Sequence, residues 1–252
     1  MAPYVADSSL KGKLRRRFAR LTRRRTVHSR PDRPMITFSF DDAPASAAWE
    51  GAALLEARGL HGSYFISAGM LGSDSAMGPI ATADDVRRLL GAGHEIACHT
   101  HSHLDCARAE ALEITADVMA NGRALAELGV TAPETFAYPY GDVSPVAKHT
   151  LAPRYYLLRA LHHGLIEPGA DLNQAPAVGI EGSDGPDIAA RWIDRALARR
   201  AWLILYTHDV QATPSPWGCT PAALEALIEQ AVAGGAEVVT AAEGCRRIGP
   251  AY

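Results

Sequence analysis

Residues 94–103, HEIACHTHSH, place four histidines within ten positions, and His99, His101 and His103 alternate with Thr100 and Ser102. Side chains at i and i+4 share a helix face, and those at i and i+2 share a strand face. His99 and His103 therefore converge in either conformation. His101 joins them only if the chain stays extended, since on a helical turn it points roughly 160° away. Imidazole is a common ligand for zinc and its neighbours, but two histidines rarely suffice, so a carboxylate or thiolate must come from elsewhere. Two histidines and a carboxylate leave coordination positions open, and a cation with open positions lowers the pKa of water from about 15.7 towards 7. Such a site suits hydrolysis. The alternative is a polar loop that happens to be rich in histidine. Cys98 and Cys106 flank the cluster, but their spacing matches no zinc-finger pattern.

These residues need elements to position them. MITFSF (35–40), GSYFIS (62–67), HEIACH (94–99), TFAYPY (135–140), YYLLRAL (155–161), APAVGI (175–180), WLILYTH (202–208) and AEVVTA (236–241) read as strands. Helical patterns cover 46–58, 83–91, 107–128, 186–199 and 221–233, with Thr82 and Thr220 as N-terminal caps. Strand followed by helix, repeated about seven times, predicts an α/β fold with a mainly parallel sheet, open or closed into a barrel. Asp41-Asp42, the histidines at 99–103, YPYGD at 138–142 and Thr207-His208-Asp209 each fall where a predicted strand ends. Active sites of parallel α/β folds are built at those ends.

At 252 residues and 48% hydrophobic content, the chain can bury a sizeable core in one folded domain. The net charge of -3 hides an asymmetry: residues 1–33 carry eleven Lys or Arg against Asp7 and Asp32, and residues 34–252 carry fourteen basic against twenty-six acidic. The sequence thus divides into a basic arm, 1–33, and a folded domain, 34–252, which carries all the candidate site residues. Within the arm, Leu10, Leu14, Phe18 and Leu21 stack on one face of a basic amphipathic helix. No secretory signal core and no membrane-spanning stretch is visible, so the expected location is cytoplasmic, peripheral on the inner face of the membrane. Residues 10–25 are candidates for an anionic membrane surface, against a solvated tail, an organellar presequence, or a nucleic-acid or protein contact; nucleic acid is disfavoured. The four cysteines form no CxxC and no disulfide framework, and reduced thiols are expected.

The stretches ITFSFDDAP, HEIACHTHSH, FAYPYGD and WLILYTHDV, in that order, resemble the motifs of the polysaccharide deacetylase family, also called carbohydrate esterase family 4. The resemblance covers roughly residues 34–245. It implies a single-domain distorted (β/α) barrel of about seven parallel strands that uses one divalent metal to remove N-acetyl groups from sugars. Zinc is the first expectation, with Mn, Co or Ni as alternatives. Matched position by position, Asp42, His99 and His103 bind the metal, Asp41 is the general base and His208 the general acid. A backbone N–H near Tyr140 is the oxyanion donor, in a turn fixed by Pro139 and Gly141. His101 falls at a variable position and is not a ligand.

Two departures stand out. The third motif of the family usually begins with an arginine that orients the base, and here that position is Ala137. Arg159, at the end of the next predicted strand, is the candidate replacement, because a guanidinium can hold a carboxylate from several directions. The acidic residue that tunes the catalytic histidine has no clear match in EGSDGPD; Asp184 ranks first, and Asp187 reads as a helix cap. His162 and His163 read as surface residues. Trp192 and Trp202 read as core, and Trp217 as a substrate-lining side chain. The expected reaction is deacetylation of N-acetylhexosamine units, GlcNAc foremost, in a bacterial exopolysaccharide or its lipid-linked precursor. The alternatives are hydrolysis of a non-sugar amide or imide, and a catalytically silent carbohydrate-binding protein. The oligomeric state is not readable from the sequence.

Overall fold

The computed structural model describes residues 9–248. Helix α1 (Leu10–Leu21) is followed by β1 (Met35–Asp41), α2 (Ala52–Glu56), β2 (Ser63–Ile66), the short strands β3 (Asp74–Ser75) and β4 (Gly78–Pro79), and α3 (Ala83–Gly91). Next come β5 (Glu95–Cys98), α4 (Ala111–Glu127), β6 (Thr135–Ala137), α5 (Pro145–Leu151), β7 (Leu157–Arg159) and β8 (Val178–Gly179). The chain ends with α6 (Gly185–Arg199), β9 (Trp202–Thr207), α7 (Pro221–Ala233), β10 (Glu237–Val238) and α8 (Ala241–Ile248). The main sheet runs β7-β6-β5-β2-β1-β9-β8, with β10 beside the start of β1. Every pairing in it is parallel. Its edges are joined by one irregular segment, in which Ala175 bridges Arg159 and, three residues on, Val178 pairs with Leu205. The result is the distorted (β/α) barrel that the motifs imply.

Strand alternation decides what enters this barrel. Ile36, Phe38 and Phe40 of β1 join Tyr64, Ile66, Leu203 and Leu205 in the core under the outer helices. Met35 joins Phe65, Ala97, Ala137, Leu157, Trp202, Ile204 and Tyr206 in the barrel interior. Continued at period two, the interior row of each strand leads to Asp41 after Met35, His99 after Ala97, Arg159 after Leu157, and His208 after Tyr206. The site is thus the top layer of the interior.

The predicted elements differ in detail. The helix expected over 46–58 begins as a π turn over Ala47–Gly51 before α2. The strand expected over 135–140 stops at Ala137, because Pro139 enters a turn there. Helices α5 and α8 were not legible, being short and held by tertiary packing rather than by a long apolar period. All four cysteines are free and buried. Among the described residues no helix is long and apolar enough to cross a membrane.

Helix α1 is docked on the body. The side chain of Ser9 accepts a hydrogen bond from the Gly12 N–H, capping the helix. Lys148 of α5, fully buried, donates to the Ala19 carbonyl at 2.8 Å and pairs with Asp171 at 2.6 Å. Arg15 pairs with Asp142 at 3.0 Å, and Arg25 donates to the carbonyls of Ala152, Tyr155 and Tyr156. Residues 1–8 of the arm, and the side chains of Leu10, Lys11, Lys13 and Arg16, lie outside the described parts.

Candidate active site

At the end of β1 the chain turns sharply: Asp42 has φ 57° and Ala43 φ 46°. Non-glycine residues rarely adopt this left-handed region, at a cost of roughly 1–3 kcal/mol each. The turn is what lets Asp42 share a site with Asp41, its neighbour on an extended strand. His103 (φ 55°) and Tyr140 (φ 60°) occupy the same region. Three of the side chains facing one cavity therefore sit on backbone that their surroundings must hold in place.

The ligating atoms of Asp42, His99 and His103 all lie within 4.8 Å of one another. Oδ1 of Asp42 is 3.7 Å from Nε2 of His99 and 3.5 Å from Nε2 of His103. That oxygen is buried and has no hydrogen-bond partner. A buried, unpartnered carboxylate oxygen facing two imidazole nitrogens fits a cation, since orphaned buried polar atoms are otherwise costly. His99 Nδ1 lies 2.8 Å from the Ala137 carbonyl, which accepts a hydrogen bond from Nδ1–H and so leaves the Nε2 lone pair facing Asp42. Burial drives the His99 pKa down to about 4 against the opposing charges of Asp41 and Asp42, so the ring is neutral, as a ligand must be. His101 is turned away, its ring against Gly69 and its backbone N–H donating to Asp117.

Asp41 is buried and takes both of its contacts from one nitrogen: Arg159 Nη2 lies 2.5 Å from each carboxylate oxygen. The guanidinium lies between two rings, 5.0 Å from the centroid of Phe65 and 5.2 Å from that of Tyr206. Ala137 and Arg159 are register partners on β6 and β7. The cation expected at 137 thus arrives from the next strand, passing over the small alanine. Burial raises the Asp41 pKa, but the charge of Arg159, with those of His99 and His208, pulls it below the ordinary carboxylate range.

Across the cavity, His208 Nδ1 lies 3.0 Å from Glu181 and 3.2 Å from the Trp217 carbonyl. Burial favours the neutral ring, yet the hydrogen bond that His208 donates to Glu181 and the charges of Asp41 and Asp42 lift its pKa to about 9. The expectation that Asp184 would partner His208 is corrected here. Asp184 lies at the start of α6, where the Ser183 hydroxyl donates to it, and Asp187 lies in the first turn. Glu181 lies two residues beyond the end of β8, so the sheet delivers it to the rim, and three further residues carry Asp184 past it.

Tyr140 packs edge-on against His103, with ring centroids 4.5 Å apart. Pro139 starts the turn, and Gly141 ends it at φ 66°, where a Cβ would lie 2.3 Å from Leu161. The cavity, about 280 Å³, is also lined by Met70, Met77, Leu161 and Trp217. Trp202 is buried, its indole N–H donating to Thr37, and Trp192 is half-buried against the outer core. His162 and His163 are exposed.

Two positioning residues were not anticipated. Asp117 of α4 accepts from the backbone N–H groups of His101 and Ser102 and from the Ser102 hydroxyl, clamping the histidine loop. Asp209, fully buried, accepts from Ser215 and Gln211 and so shapes the loop that brings Trp217 to His208. Asp209 stands inside a motif stretch, whereas Asp117 lies on a helix well beyond the histidines, and sequence spacing does not say which backbone either one meets.

A parallel barrel with a metal-competent triad, an arginine-paired carboxylate and a carboxylate-paired histidine at its strand ends defines a hydrolase class. A profile of the polysaccharide deacetylase family matches residues 28–153, half of the chain, and the chain belongs to that family, carbohydrate esterase family 4. It is a deacetylase-type hydrolase. Among solved structures it is similar to the chitin deacetylase of Colletotrichum lindemuthianum (15% identity, 88% of this chain and 92% of that one, TM-score 0.60). It is also similar to a peptidoglycan N-acetylglucosamine deacetylase (17%, 90% and 95%, 0.59). A third is a family 4 acetyl xylan esterase of Clostridium thermocellum in complex with cobalt (21%, 83% and 89%, 0.57). No curated protein matches the sequence.

Proposed function

We propose that this enzyme is a divalent-metal-dependent N-deacetylase acting on N-acetylhexosamine units, GlcNAc foremost, of an exopolysaccharide or its lipid-linked precursor. One observation carries the reading: a carboxylate paired with Arg159 and a histidine paired with Glu181 line one cavity with Asp42, His99 and His103. These last three side chains would hold the ion, zinc first among candidates for two imidazoles and a carboxylate. When bound there, a divalent cation supplies Lewis acidity toward an amide and toward water.

The chain's own residues supply the rest. Asp41, ionised beside Arg159, accepts the proton of the attacking water. Arg159 fixes the direction in which that carboxylate points. A backbone N–H at Tyr140 donates to the oxygen that gains charge in the transition state, where such donors are worth about 3 kcal/mol. His208, charged because Glu181 faces Nδ1, gives its proton to the departing amine. Trp217 and the methionines line the approach, and the indole offers an apolar face to a sugar ring.

The test is to quantify metal in purified protein and to measure acetate released from N-acetylglucosamine oligomers by the parent and by Asp41→Asn. Stoichiometric metal, with release that Asp41→Asn abolishes, supports the reading. Turnover of cyclic imides or ureides, with no acetate from the oligomers, overturns it.

A further inference from the structure

Helix α1 presents its sides in an unusual order. Among its described side chains, Gly12 and Ala19 are the buried positions. Leu14, Phe18 and Leu21 are 65%, 59% and 72% exposed. At 100° per residue these three fall within about 60° of one another and about 150° from the two small residues. An amphipathic helix on a folded domain normally buries its large apolar side chains. Here the small side is buried and the apolar stripe points to solvent.

The body holds the helix in that orientation with charged groups. Lys148, buried, reaches the Ala19 carbonyl, and Arg15 pairs with Asp142. A lone 12-residue helix is marginal in water, so these ties keep it formed. Beside the stripe, Arg17 and Arg20 are exposed, and residues 9–31 hold ten Lys or Arg and no acidic residue. At the end of the helix, Arg20 and Arg24 line a recess of about 250 Å³ together with His162, His163 and Asp171, whose carboxylate pairs with Lys148.

From this we infer that the outer face of α1 is a docking surface for an anionic lipid bilayer, the apolar stripe entering the headgroup region and the arginines meeting lipid phosphates. Charge selects this occupant. A second copy of the same face would set arginines against arginines across a two-fold axis. An anionic bilayer satisfies both features, since apolar area and juxtamembrane cations add in interfacial binding. This inference stands apart from the catalytic reading and is tested without turnover.

The experiment is co-sedimentation of the full chain with vesicles of phosphatidylcholine alone or mixed with phosphatidylglycerol. The protein is expected to sediment with the mixed vesicles and not with the neutral ones, and added salt is expected to weaken binding. Replacing Leu14, Phe18 and Leu21 together by Ser should lower affinity about tenfold or more, and Arg17→Gln with Arg20→Gln should lower it and flatten the salt dependence. Circular dichroism melting checks that the variants fold. Equal binding to both vesicle types, no binding, or undiminished binding by a folded triple variant overturns the inference. So does a parent dimer, seen by sedimentation, that the serine variant dissolves while neither protein binds vesicles.

Discussion

His99 and His208 stand on the same barrel layer, at the ends of β5 and β9, and differ in what faces Nδ1. A neutral carbonyl, that of Ala137, faces the first, and a carboxylate, that of Glu181, faces the second. Their pKa values are driven apart, to about 4 and about 9. One imidazole is a lone-pair donor at neutral pH and the other is an acid. Two titratable groups of one type take opposite roles because the barrel gives them different partners.

The comparison breaks hardest at the lone-pair side. Chelation, or His99→Ala, should reduce acetate release to background with loss of bound metal by elemental analysis, and zinc should restore the chelated parent but not the variant. On the acid side, His208→Asn should lower kcat by about 10²–10⁴-fold while metal content stays unchanged. A variant with normal kcat would remove His208 from the chemistry.

Arg159→Met should cost about 10–100-fold in turnover, in the range of other supporting contacts. Its pH profile carries the sharper sign. Arg159 lowers the Asp41 pKa, so its loss raises that pKa and the acid limb of kcat/KM moves to higher pH. Glu181→Gln works on the opposite limb. Glu181 favours the protonated His208, so without it the pKa falls from about 9 toward 6.5 and the basic limb moves to lower pH. Unchanged limbs in these two variants would show that neither partner sets its neighbour's charge. Asp184→Asn should leave kinetics unchanged and stability within about 0.5 kcal/mol, read by thermal melting.

The chemistry-bearing types and their order along the chain were legible without coordinates. Strand period two and helix period 3.6 are local, so the ends of β1, β5 and β9 could be read from apolar runs, and Asp41, His99 and His208 fall at or just beyond them. The pair at 99 and 103 converges in either regular conformation. Arg159 was also reachable, because a missing cation at Ala137 prompts a search of the next strand end.

Other features belong to tertiary structure alone. Glu181, rather than Asp184, meets His208 because β8 is only two residues long and lies against β9, a fact of sheet register. Asp42, His103 and Tyr140 hold left-handed backbone, which Asp and His tolerate better than most residues but which the surrounding fold must impose. The orientation of α1 depends on Lys148 and Asp142, more than a hundred residues away. By itself the sequence determined which side chains stand at the strand ends, because that depends on neighbours one to four residues apart. Only the folded chain decided which partner each one meets and so which charge it carries, because those contacts join segments that adjacency in sequence does not connect.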